Sequence, residues 1–121
     1  MTGFKDYTNY DALGLAELVK AGAVTPTQLL EEAIKRRNQV NPHINAIVHN
    51  MDQLAYDTIA QGLSQGTFAG VPFLIKDLLA AYAGVPMTNG SHAYKDYVPN
   101  YDSEMVKRYK ATGAVIFGKT N

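Results

Sequence analysis

The chain has no cysteine, which excludes disulfides and thiolate metal sites but leaves the compartment open. Charge of either sign is not in surplus. Eleven Lys and Arg balance 11 Asp and Glu for a net charge of zero, and like charges form no block. The basic footprint of a nucleic-acid binder and the cationic face of a membrane-surface protein are thereby excluded. Long hydrophobic runs are missing too. None approaches the roughly 18 residues that span a bilayer, and the opening "MTGFKDYTNYD" lacks the apolar core of a secretory leader. Without a leader, "NGS" at Asn89–Ser91 reads as a turn and not as a glycosylation acceptor. The expectation is a soluble cytoplasmic protein, with neither nucleic acid nor membrane among its partners.

What is present is a folding composition. Hydrophobic residues make up 46% of the 121, enough for one modest core or for part of a larger one. "DALGLAELVKA" predicts a helix capped by Asp11, with Leu15, Leu18 and Val19 on one face and a stop at Gly22. "TPTQLLEEAIKRRNQVNP" predicts a second. Thr25 and Gln28 have capping-box spacing, and Pro26 takes the first helical position. Leu29, Leu30, Ala33, Ile34 and Val40 form its apolar stripe, and Asn41-Pro42 predicts its end. Glu31 with Lys35, and Glu32 with Arg36, should pair on a solvated face.

Further along, "INAIVHN" predicts a short strand and "MDQLAYDTIAQGLSQG" a third helix. A strand over 71–76 precedes an irregular stretch at 78–100, with a turn at Asn89-Gly90. A last helix runs from about Ser103 to Thr112, capped by Asp102 or Ser103 and ended by Gly113, and "AVIFG" follows as a strand. Helices alternating with strands that are apolar on both faces predict an α/β sheet with helices on both sides. The chain stops just after a strand, where such a fold enters its next element, so a front portion of something longer is expected.

The pattern that raises a chemical question is "GVPFLIK", an apolar run driven straight into Lys76. Open α/β sheets bind ligands at the carboxyl ends of their strands. A lysine held there in apolar surroundings resists protonation and can act as a base. The other reading is a strand-end lysine that carries its ammonium out to water. Asp77 cannot neutralise it along the strand, because adjacent side chains point to opposite faces.

"GAVIFGKT" at Gly113–Thr120 spells the phosphate-binding loop G-x-x-x-x-G-K-T. Its four middle residues are strand formers and a helix precedes it, so nucleotide binding is not expected. His43, His49 and His92 lack metal-ligand spacing, and no cofactor or metal is expected. Tyr82, Tyr94, Tyr97, Tyr101 and Tyr109 could line an apolar substrate pocket, but half-buried packing is the favoured reading.

"GVPFLIKD", "TNGS", a helix beginning near "YDSEMVKR" and "ATGAVIFGKTN", in that order and spacing, resemble the N-terminal portion of the amidase signature enzymes. The resemblance runs from about Leu13 to Asn121 and includes the helix before "NPHINAIV". With Leu78 where many members carry Asn, "GVPFLIKDL" is most similar to members acting on cyclic or linear nylon-type amides.

The fold implied is the N-terminal part of the amidase signature fold, helices packed around a mixed β-sheet, with residues 1–121 as a single partial domain. The chemistry implied is amide hydrolysis by a lysine, a serine held by a cis peptide bond, and a nucleophilic serine. Lys76 matches the lysine. It would take a proton from the bridging serine, which activates the nucleophile. On that reading the apolar run is a central strand delivering a lysine stripped of water.

Both serines belong to a Gly/Ser-rich segment that residues 1–121 do not contain. Ser91 matches a "GS" loop of the family and is expected to be structural, while Met87 stands where members often have threonine. Alone, the chain should be inactive toward its small-molecule amide substrate and, with faces uncovered, should self-associate as a homo-oligomer. The alternative is a non-catalytic, truncated amidase-like module that dimerises or holds a partner.

Overall fold

A computed structural model describes residues 3–121. Helix α1 (Ala12–Lys20) starts where the Asp11 side chain accepts from the Gly14 amide at 2.8 Å. Helix α2 (Pro26–Ile44) starts at a full capping box. Gln28 N donates to Thr25 Oγ1 at 3.1 Å, and Thr25 N donates to Gln28 Oε1 at 2.9 Å. Two orphan amides are thus satisfied reciprocally.

Helix α2 runs past the expected stop, carrying Pro42 in its last turn and ending at Asn45, whose φ of 46° is left-handed. The Asn41 side chain grips both the N–H and the C=O of Ile47, which fixes the exit of the chain. Val40 is half exposed, on the rim of a hollow that it shares with Ile44, Ile47 and Leu74. Glu32 is not on a solvated face either. It is 3% exposed, held by Arg36 at 2.9 Å and by Lys35 at 3.7 Å, while Arg36 also lies over the Tyr7 ring.

Strand β1 (Ile47–Asn50) leads into helix α3 (Asp52–Gln61), anchored to α2 by the paired hydrogen bonds of Arg37 to Asp52. Strand β2 (Pro72–Lys76) follows, then a long irregular passage. Helix α4 (Glu104–Ala111) is capped by Ser103, and strand β3 (Val115–Thr120) closes the chain. Gly113 makes the turn between α4 and β3 at φ 82°, with its backbone so close to Ser64 that a side chain there would collide.

The sheet order is β1-β3-β2, antiparallel on the β1 side and parallel on the β2 side. The central strand is therefore β3. Strand β2 lies at the edge of the described sheet, which explains why Phe73 and Lys76 on it are exposed. Both faces are nevertheless covered. Leu30, Ala33 and Ala55 from α2 and α3 pack on Val115 and Phe117. On the other face Ile75 and Ile116 meet Val106 of α4 together with Ala80, Tyr82 and Val85 of the irregular passage. Leu29 and Leu30 lose all contact with water, each burial stabilising the fold by about 1.5–3 kcal/mol. Among the described residues no helix is long and apolar enough to cross a membrane.

Candidate active site

The parallel pair β2 and β3 brings two lysines to one end of the sheet. Lys76 pairs with Thr120 in register, and Lys119 pairs with Ile75. A bulge separates the two strands' phases: Phe73 pairs with Ile116 but Leu74 pairs with Gly118, leaving Phe117 as the extra residue. Without the bulge, strict alternation from Val115 would turn Lys119 toward α2. With it, Lys119 shares the face of Ile75, under the irregular passage.

Lys119 is fully buried. Its ammonium donates to the Pro86 carbonyl at 2.9 Å and lies 3.9 Å from Asp77 Oδ1. Burial pulls its pKa below the ordinary lysine value, and the Asp77 charge opposes that shift. Asp77 is itself 7% exposed. It accepts from the Thr88 amide at 3.0 Å and from the Thr88 hydroxyl, and its own amide donates to the Thr120 carbonyl at 2.9 Å. As alternation requires, Asp77 and Lys76 point to opposite sides and do not pair.

Lys76 differs in every respect. It is exposed, and its ammonium donates to the backbone carbonyl of Asn121. Within residues 3–121 Lys76 stands at the end of an edge strand, with no side chain packed over its amine. The passage after it is held in an uncommon shape. Leu79 has a φ of 59° and is 70% exposed, and its amide donates to the Asn89 side chain at 3.1 Å. Asn89 and Gly90, with φ of 52° and 70°, make the turn expected there.

Gly113–Thr120 forms a turn and a strand, with its lysine consumed internally, so no loop of free amides is available to cradle phosphate. Ser103 caps α4 and Ser91 caps a single helical turn at His92–Tyr94. The tyrosines divide: Tyr82 is buried and Tyr109 stacks edge-on against Phe73 at 5.0 Å, while Tyr94, Tyr97 and Tyr101 are exposed. A surface hollow of about 860 Å³ is lined by Leu13, Val19, Pro26, Ile59 and neighbours, and Lys76 is not among them. Sequence reasoning missed Lys119 as a buried charge. The only signal for it was that "AVIFGK" repeats the grammar of "VPFLIK".

These features define a mixed α/β fold with an exposed lysine at the end of β2. The family model described as Amidase matches residues 28–121. The chain belongs to the amidase signature family. Over 113 residues it is 39% identical to the 6-aminohexanoate-cyclic-dimer hydrolase of Paenarthrobacter ureafaciens, a match that covers 92% of this chain and 22% of that protein. One subunit of a glutamyl-tRNA(Gln) amidotransferase from Salinispora tropica is 36% identical over 123 residues, covering 96% of this chain and 25% of that one.

The structure of a 6-aminohexanoate cyclic dimer hydrolase complexed with substrate superposes with a TM-score of 0.87 at 36% identity, over 98% of this chain and 24% of its own. A bacterial aryl acylamidase of the amidase signature family superposes with a TM-score of 0.81 at 32% identity, over 93% of this chain and 25% of its own. The chain thus spans about a quarter or less of the length of these relatives.

Proposed function

We propose that residues 1–121 are the N-terminal part of an amidase that hydrolyses linear or cyclic amides, with Lys76 as the base of a Ser–cis-Ser–Lys triad. The observation that carries this reading is the contrast between the two strand-end lysines. Lys119 is held by Asp77 and Pro86 inside the protein, whereas Lys76 is exposed and its amine meets only the exposed backbone carbonyl of Asn121. The Lys76 amine accepts a proton from the bridging serine, which accepts one from the nucleophile. The nucleophile adds to the amide carbon, the C–N bond breaks as the amine takes the proton, and water then hydrolyses the ester. The serines come from outside residues 1–121, since Ser91 and Ser103 are occupied as caps and Ser64 backs onto Gly113, at the opposite end of β3 from Lys76.

Two further points support an amide with an aliphatic chain. Leu78 and Leu79, directly after the lysine, are 45% and 70% exposed and offer apolar surface to methylene groups. Two relatives are themselves named 6-aminohexanoate-cyclic-dimer hydrolases.

The test uses the longest polypeptide that the gene encodes around these residues, assayed on the cyclic dimer of 6-aminohexanoate and on hexanamide. Hydrolysis should fall by about a thousandfold or more in Lys76→Ala. The 121-residue chain alone should give none. Full activity in Lys76→Ala would overturn the assignment of the base.

A further inference from the structure

Burying a lysine completely, against one carboxylate and one carbonyl, is a poor way to gain stability. A packed apolar pair of similar volume does as well or better, because the desolvation of both charges offsets their attraction. What the polar contacts add is direction. Asp77 accepts two hydrogen bonds from Thr88, Lys119 donates to Pro86, and the Asp77 amide donates to Thr120. The Lys119 and Asp77 amide bonds tie the irregular passage to β3, and the Thr88 bonds tie the start of that passage to its middle. Together they fix the residue that follows Lys76 and pin residues 86–88 across the strand ends.

We propose that Lys119, Asp77 and Thr88 form a buried clasp whose task is to position Lys76 for proton transfer. The proposal rests on Lys76 being the base. Lys76 itself has only its own pairing with Thr120 and the Asn121 carbonyl to hold it, at the end of an edge strand. Its neighbour Asp77 is the anchor. If Asp77 slips, the Lys76 amine moves relative to any serine brought to it, and a misplacement of about 1 Å costs on the order of a hundredfold in rate. The bulge at Phe117 belongs to the same device, because it is what turns Lys119 under Pro86 and toward Asp77.

The experiment compares Lys119→Met, Asp77→Asn and Thr88→Val in the longest encoded polypeptide, with Lys76→Ala alongside. Thr88→Val removes the hydroxyl bond to Asp77 without stranding a charge, so it keeps the test open if the first two variants fail to fold. Two readouts are taken: kcat and KM on the cyclic dimer, and hydrogen exchange by mass spectrometry over peptides from 77–90.

The clasp predicts a kcat lower by about tenfold or more in Lys119→Met and Asp77→Asn, and lower by several-fold in Thr88→Val. KM should stay within about threefold, with faster exchange confined to 77–90. Asp77→Glu, which keeps the charge, should restore more of kcat than Asp77→Asn does. Unchanged exchange over 77–90 in Thr88→Val and in whichever charge variant folds would overturn the clasp. Faster exchange with unchanged kcat would overturn the positioning role. Either result leaves the base assignment to stand or fall with Lys76→Ala, which is read separately.

Discussion

Two strands of this chain are written in almost the same grammar, "VPFLIK" and "AVIFGK", and their lysines meet opposite fates. Within residues 3–121 the run on β2 is an edge strand and Lys76 is exposed. On β3 it is the central strand, a bulge turns it over, and Lys119 disappears into the interior. The difference teaches that an apolar run into a lysine identifies a strand end and nothing more. Whether the charge is working surface or internal fastening depends on which neighbours flank the strand. The proposed chemistry is assigned to the lysine that is not buried against a carboxylate.

The comparison breaks most visibly if the two lysines are truncated and stability is read by urea unfolding. Lys119→Ala strands the Asp77 carboxylate in the interior and leaves the Pro86 carbonyl without its donor. A loss of about 3–5 kcal/mol is expected. In the double variant Asp77→Asn/Lys119→Met both charges go together, so the loss should be clearly smaller than the sum of the two single losses. If the losses simply add, Lys119 and Asp77 are not an interacting pair and the contrast between the strands loses its basis.

The helices were largely legible because their signals are local. The Thr25–Gln28 capping box, Pro26 at the first turn and the Asp11 cap are all where spacing puts them. The end of α2 was not, because Pro42 in a last turn sacrifices only one amide, and the Asn45 left-handed turn is chosen by the grip of Asn41 on Ile47. Glu32 was misplaced for a similar reason. Its i,i+4 spacing to Arg36 is real, but the N-terminal segment lies across it and Tyr7 sits beneath the guanidinium.

Strand existence was legible from apolar runs, whereas strand order was not, since an apolar run reads the same at an edge as in the centre. The bulge at Phe117 leaves no mark in a period of two, and Lys119 was hidden by it. The role proposed for Lys76 came from several separated segments resembling one family, with the strand pattern alone pointing only to its position.

A smaller effect sharpens the contrast through pH. Burial lowers the Lys119 pKa from its ordinary 10.5, so the folded state holds that proton less tightly than the unfolded chain does. Between the lowered value and 10.5 the unfolded chain binds more protons, and the Lys119 contribution to stability rises with pH. Tyr7 works against this. Burial raises its pKa above 10.0, so its hydroxyl ionises first in the unfolded chain and favours unfolding as pH climbs. Subtracting the curve of Lys119→Met cancels the tyrosine contribution. Wild type should gain on the variant as pH rises toward 10.5. A gap that narrows instead would mean that Lys119 is not desolvated.

The smallest expected change is the stability of Lys76→Ala. The side chain is exposed and its one bond goes to the carbonyl of Asn121. Removing it creates no cavity, no buried unpaired group and no backbone strain, so unfolding free energy should move by no more than about 0.5 kcal/mol. Set against the proposed thousandfold loss of hydrolysis, that near-neutrality is what separates a catalytic lysine from a structural one. A destabilisation of about 2 kcal/mol or more would place Lys76 with Lys119 as a fastening, and the unspent amine would have to be sought elsewhere.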